Sequence, residues 1–76
     1  MSTDIKKNHP VLLRRPEVLA RCGISSATLY RRIIENDFPP PISLGGRSVA
    51  WVEDEVNAWI ESRIESSRSH GGTGHV

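Results

Sequence analysis

Apolar residues recur at helical spacing in three stretches of the chain. The first stretch covers residues 16–22, where a proline suits the first turn of a helix and the following Gly23 suits its left-handed end. The second covers residues 26–35, and the third covers residues 53–65 after an acidic first turn. The pattern therefore predicts three helices.

A very short turn separates the first two predicted helices. Only Gly23 and Ile24 lie between the first helix and Ser25, whose hydroxyl can cap the amides of the second helix. Two helices joined by a short turn with a glycine have the helix-turn-helix spacing, in which the second helix enters the DNA major groove. We therefore expect a helix-turn-helix here.

A β-hairpin is predicted between the second and third helices. Residues 42–44 and 48–51 are short strand candidates on either side of Gly45 and Gly46, which allow a tight turn. Arg47 follows at the tip of this wing, where a long cation can reach a phosphate or the minor groove. The expected fold class is thus α+β, a small winged helix-turn-helix of three helices and a two-stranded β-hairpin wing.

Outside this region the chain is polar. Residues 1–10 are expected to form a flexible N-terminal arm, and residues 66–76, rich in Ser and Gly, a disordered tail. The DNA-binding domain is predicted to cover residues 11–65.

The second helix has one apolar side. At about 100° per residue, Leu29 and Ile33 lie close together and Arg31 lies near the centre of the opposite side. Arginine can pair with guanine in the major groove, and small neighbouring residues permit close approach. We expect base contacts from Ala27, Thr28 and Arg31, and phosphate contacts or positioning from Ser25, Ser26, Tyr30, Arg32, Arg14 and Arg15.

The charged residues are unevenly distributed between the two halves of the chain. The net charge is +1, but residues 1–34 hold seven basic and two acidic side chains, whereas residues 35–76 hold three basic and seven acidic ones. A polyanion attracts one half of such a molecule and repels the other. Nucleic acid is therefore the leading partner, with a merely amphoteric surface and a solvated arginine face as the alternative.

Other classes of function find little support. Cys22 is the only cysteine, which excludes an internal disulfide and favours a reducing, cytoplasmic location; we find no signal peptide or membrane span. His9, His70 and His75 all fall in the predicted tails, so we expect no catalytic residue, no metal site and no cofactor.

The stretches LLRRPEVLARCGISSATLYRRI, DFPPPISLGGRSVAW and VEDEVNAWI occur in this order. Together they resemble the AlpA family of phage and prophage transcriptional regulators, within the excisionase-like, MerR-like winged helix-turn-helix proteins. The resemblance covers residues 13–60 and implies a bacterial or phage DNA-binding protein, for which we expect a nucleoid-associated location in the bacterial cytoplasm. It also implies control of transcription of an integrated element, or of its excision.

Three positions depart from the family pattern. Ser26 and Pro40 stand where a basic residue is common, and Ile34 stands where charge is usual. Ile34 suggests either a contact with a thymine methyl group or a contact with a protein.

The resulting prediction is a transcriptional regulator that binds double-stranded DNA. An excisionase that bends DNA for an integrase is the alternative, and a protein-interaction module is a rival of another class. A single small domain contacts few base pairs, so a dimer, tandem sites or a helper protein is also expected.

Overall fold

The computed structural model describes residues 10–71 of the chain. In chain order the elements are β1 (Leu12–Leu13), α1 (Arg15–Cys22), α2 (Ser26–Ile34), β2 (Ile42–Gly45), β3 (Ser48–Val52) and α3 (Glu53–Gly71). Three helices and a small antiparallel sheet thus make up this part of the chain. The predicted α+β fold of the winged-helix kind is confirmed.

Local chemistry sets the ends of α1 and α2. Gly23 ends α1 at φ 67°, and its N–H donates to the Leu19 carbonyl. The Ser25 side chain caps α2 by accepting a hydrogen bond from the Thr28 N–H. Asn36, just beyond α2, adopts φ 61°, a left-handed conformation that asparagine tolerates better than most residues with a side chain.

The sheet contains one strand more than the predicted hairpin. The strand order is β1-β3-β2, and Leu12 and Leu13 of β1 lie opposite Val52 and Trp51 of β3. A strand of two residues is too short to show alternation in the sequence, so the prediction of a two-stranded sheet was one strand short. Through this added pairing, β1 at the N-terminal end of the described segment joins the same sheet as the two strands of the wing.

The core lies between the helices and one face of the sheet. Trp51 of β3 is fully buried and donates its Nε1–H to the Pro39 carbonyl at 3.1 Å. The indole N–H of Trp51 therefore has a hydrogen-bond partner although the ring is buried. The buried residues of the core are Leu13, Val18, Leu29, Phe38, Trp51 and Val56, with Ile24, Ile33, Trp59 and Ile60 among those packed at its edge.

Helix α3 is longer than expected. We predicted an end near residue 65 and a disordered tail from residue 66, but α3 continues to Gly71. The prediction used the helical spacing of apolar residues, and that spacing stops at Ile64. The helix itself continues through the Ser-rich segment because backbone hydrogen bonding needs no apolar side chains. Ser69 Oγ also donates a hydrogen bond to the Glu65 carbonyl at 3.2 Å. The predictions for His9, His75 and residues 1–9 of the N-terminal arm lie outside the described residues.

Asp37 connects the end of α2 to α3. Its carboxylate accepts a hydrogen bond from Arg32 Nη1 at 2.6 Å and lies 3.5 Å from Arg63 Nη1. Its carbonyl accepts a hydrogen bond from Trp59 Nε1 at 2.5 Å, and the Arg63 guanidinium lies 5.5 Å from the centre of the Trp59 ring. One aspartate therefore joins two helices through both its side chain and its backbone.

We expect Asp37→Ala to lower the free energy of unfolding by about 1–2 kcal/mol, because it leaves the half-buried Arg32 guanidinium without its charged partner. Urea denaturation followed by circular dichroism measures the change. Arg63→Ala is the matched control and should cost about 0.5–1 kcal/mol, because that pair is longer and more exposed. Equal losses for the two variants would contradict the central role of Asp37.

Candidate nucleic-acid interface

Helix α2 presents one polar side to solvent. Leu29 is fully buried and Ile33 packs at the edge of the core, so the opposite side of the helix faces outward. Ala27 and Arg31 are exposed and Thr28 is half-buried. Among residues 10–71 the Arg31 side chain makes no hydrogen bond or ion pair, so its guanidinium is available to a ligand. The predicted orientation of this helix is confirmed.

The start of α2 is built around a serine–threonine pair. Ser25 Oγ accepts a hydrogen bond from the Thr28 N–H at 3.2 Å and donates one to Thr28 Oγ1 at 3.0 Å. The Ser25 hydroxyl hydrogen is therefore already used, whereas a phosphate oxygen would need it as a donor. Ser26, half-buried beside it, makes no side-chain hydrogen bond within residues 10–71.

The arginines of the described segment fall into two groups. Arg21 pairs with Glu53 at 3.1 Å and with Glu17 at 3.6 Å, which connects α1 to α3. Arg32 and Arg63 share Asp37. The remaining arginines have no acidic partner within residues 10–71: Arg14, Arg15, Arg31, Arg47 and Arg68.

Three of the arginines without an acidic partner meet in one groove. This arginine groove has a volume of about 440 Å³ and opens to solvent. Arg15 Nη1 donates a hydrogen bond to Tyr30 Oη at 3.3 Å across it, so the start of α1 touches the edge of α2. The residues that line the groove are Arg14, Arg15, Pro16, Tyr30, Arg47 and Val49.

The wing brings Arg47 to this groove. Strands β2 and β3 pair with Gly45 opposite Ser48, so that Gly46 and Arg47 form the tip of the hairpin. Gly45 at φ 111° and Gly46 at φ 57° both occupy conformations that residues with a side chain rarely adopt. The tight turn predicted from this glycine pair is thus present, one residue further along the chain than the pair itself.

Arg32 has an internal role. Its Nη1 is held by Asp37 at 2.6 Å, and its Nε is buried without a hydrogen-bond partner in the described part of the chain. The phosphate contact predicted for Arg32 would require it to leave that aspartate. Sequence reasoning missed the pairing because five residues separate the partners across the end of a helix, where no periodic signal applies.

Among residues 10–71 we find neither a metal-binding cluster nor a thiol with a lowered pKa. Within residues 10–71 no group of three or more His, Cys, Asp or Glu side chains is arranged to hold a metal ion. Burial raises the pKa of the Cys22 thiol, against a smaller lowering effect of the Arg21 guanidinium. Cys22 packs at the edge of the core and stays protonated at neutral pH.

Comparison with known proteins places the chain in a family. The family model of the prophage CP4-57 regulatory protein (AlpA) matches residues 11–64, which include α1, α2 and the wing. The chain belongs to the AlpA family. This assignment confirms the resemblance noted in the sequence.

Two relatives show how far the AlpA-family similarity extends. The chain is 52% identical over 52 residues to the uncharacterized protein ORF88 of Enterobacteria phage P4, a match that covers 68% of this chain and 59% of the phage protein. It is 33% identical over 60 residues to the DNA-binding transcriptional activator AlpA of Escherichia coli K12, covering 71% of this chain and 86% of that protein. The match to the phage protein thus spans less than two thirds of its length.

Membrane association was not expected for this AlpA-family chain. None of the helices in residues 10–71 has both the length and the apolar composition needed to cross a membrane.

We expect Cys22 to react slowly with a thiol reagent such as DTNB in the folded protein. Its raised pKa leaves less thiolate at a given pH, and the core blocks access. Reaction rates measured at pH 8 with and without denaturing urea should show faster reaction of the unfolded chain. Equal rates would contradict the packing of Cys22.

Proposed function

We propose that this AlpA-family protein binds double-stranded DNA and regulates transcription, with α2 in the major groove and the wing on the sugar–phosphate backbone. The observation that carries the proposal is the arginine groove. It joins the start of α1, the edge of α2 and the wing tip into one cationic surface whose arginines have no acidic partner among residues 10–71. The name of the E. coli relative, a DNA-binding transcriptional activator, supports the same function.

Base recognition is assigned to the exposed side of α2. Arg31 carries five N–H donors in a fixed fork, which suits the O6 and N7 atoms of guanine. Ala27 precedes it by four residues, about one turn, and has no bulk to hold the helix away from the bases. Thr28, although held by Ser25, keeps its methyl group and one oxygen lone pair for a base edge.

Backbone recognition is assigned to the arginine groove. Arg14, Arg15 and Arg47 supply positive charge, and the Tyr30 hydroxyl holds one of these arginines in place. Arginine binds phosphate through two parallel hydrogen bonds, so a phosphate between the wing and α2 would fix the depth of α2 in the major groove. Ser26 adds a hydroxyl at the start of α2 that has no hydrogen-bond partner within residues 10–71, whereas we assign no phosphate contact to Ser25 or Arg32.

More than one copy is needed for useful specificity. Helix α2 has nine residues and therefore spans few base pairs. We propose that two or more copies bind adjacent sites near a promoter. Footprinting on the DNA around the gene should show protected sites overlapping a promoter, whereas several sites beside an integrase attachment region, with bending of the DNA, would indicate an excisionase.

We expect Arg31→Ala to weaken binding to the preferred site by about 1–3 kcal/mol and to relax the preference at one base pair. Electrophoretic mobility shift with a set of single-base variants of the site measures both effects. Arg68→Ala is the control. Arg68 is also exposed and has no acidic partner among residues 10–71, but it lies near the C-terminal end of α3, outside the proposed DNA-binding surface. If duplex DNA at low salt is not shifted at micromolar protein, the proposed function is wrong.

Arg47→Ala should weaken binding to all sequences to a similar extent, because a phosphate contact carries no base information. The slope of log K against log salt concentration should decrease by about one. Titrations at several salt concentrations, on the preferred site and on an unrelated duplex, measure this. A loss confined to the preferred site would assign Arg47 to base recognition instead.

A further inference from the structure

Ile34 is the last residue of α2, and its side chain is 80% exposed, more than the other large exposed hydrophobic residues of the described segment. We propose that Ile34 determines sequence specificity by packing against the C5-methyl group of a thymine in the major groove. The inference rests on the proposed DNA binding and adds a contact that Arg31 cannot make.

The position of Ile34 places it on the side of α2 that is assigned to the bases. Ala27, Arg31 and Ile34 are separated by four and three residues, so they form one stripe along the helix. The stripe is about 10 Å long at about 1.5 Å per residue, which corresponds to about three base-pair steps of about 3.4 Å. The stripe therefore allows Arg31 and Ile34 to contact neighbouring base pairs in one groove.

The chemistry of the groove restricts what Ile34 can recognise. Of the groups that the four bases present there, the thymine methyl is the apolar one, and the others are hydrogen-bond donors or acceptors. An isoleucine at a groove-facing position gains by covering that methyl and loses by covering an unpaired polar atom. A thymine is therefore favoured opposite Ile34.

A protein partner on this surface is disfavoured by its size. Arg31 and Glu35, which flank Ile34 on the helix surface, are exposed and charged. Tyr30, four residues before Ile34 on the same helix, is 41% exposed, and its hydroxyl accepts a hydrogen bond from Arg15. One isoleucine and part of one tyrosine fall far short of the roughly 800 Å² per partner of a stable protein interface, whereas a single methyl contact needs only the Ile34 side chain.

Replacement of thymine by deoxyuridine removes only the C5-methyl group and so tests the contact directly. Each thymine of the footprinted site is replaced in turn, and the affinity of the full chain is measured by fluorescence anisotropy. For the unmodified protein we expect the affinity to fall about fourfold when one particular thymine is replaced, because the complex then lacks one buried methyl-sized group. Ile34→Ala should bind the thymine and deoxyuridine duplexes equally well.

Ile64→Ala is the matched control, because Ile64 is an exposed isoleucine on α3, outside the proposed DNA-binding surface. It should keep the discrimination between thymine and deoxyuridine, and circular dichroism should show both variants folded. Equal binding of every deoxyuridine duplex by the unmodified protein would overturn the inference, as would an Ile34→Ala variant that still discriminates. A loss of cooperativity in Ile34→Ala with thymine discrimination intact would instead indicate a protein contact.

The failure of this inference can be told from a failure of the proposed function. If the unmodified protein binds the site and Arg31→Ala weakens that binding, DNA recognition stands and the deoxyuridine series decides the role of Ile34. If the unmodified protein does not bind duplex DNA, both proposals are wrong.

Discussion

The burial of Leu29 in the core is the constraint on which the interface depends. A helix with one side held against Trp51 and its neighbours cannot rotate about its axis without exposing a fully buried leucine, which costs about 1.5–3 kcal/mol. That cost sets the direction of every other side chain on α2. Arg31 and Ile34 point outward because Leu29 and Ile33 point inward.

Electrostatics then separates the arginines that stabilise the fold from those available to a partner. Arg21, Arg32 and Arg63 each have a carboxylate within 4 Å, and they connect helices to one another. Arg31 and the three arginines of the groove have no such partner in the described part of the chain. A polyanion therefore meets charges that are not already neutralised, and its binding does not require an internal pair to break.

The segment between α2 and the wing determines how these charges are arranged in space. Trp51 and Trp59 donate hydrogen bonds to the carbonyls of Pro39 and Asp37, so two buried or half-buried rings hold the chain that leads into β2. The wing tip is consequently positioned against the start of α1 rather than free in solution. In the proposed complex, one phosphate contact at the wing would determine how deeply α2 enters the groove, because the wing and α2 are parts of one packed unit.

The sequence by itself determined the features that depend on neighbouring residues. These are the cap at Ser25, the left-handed residues Gly23 and Asn36, the turn at the wing tip and the inward side of α2, because each follows from local backbone chemistry or helical spacing. Only the tertiary structure decided what depends on residues far apart: the pairing of β1 with β3, the meeting of Arg14, Arg15 and Tyr30 with Arg47, and the placing of Trp59 and Arg63 around Asp37. No spacing in the sequence records these contacts, since they arise when separately predictable elements pack around one core.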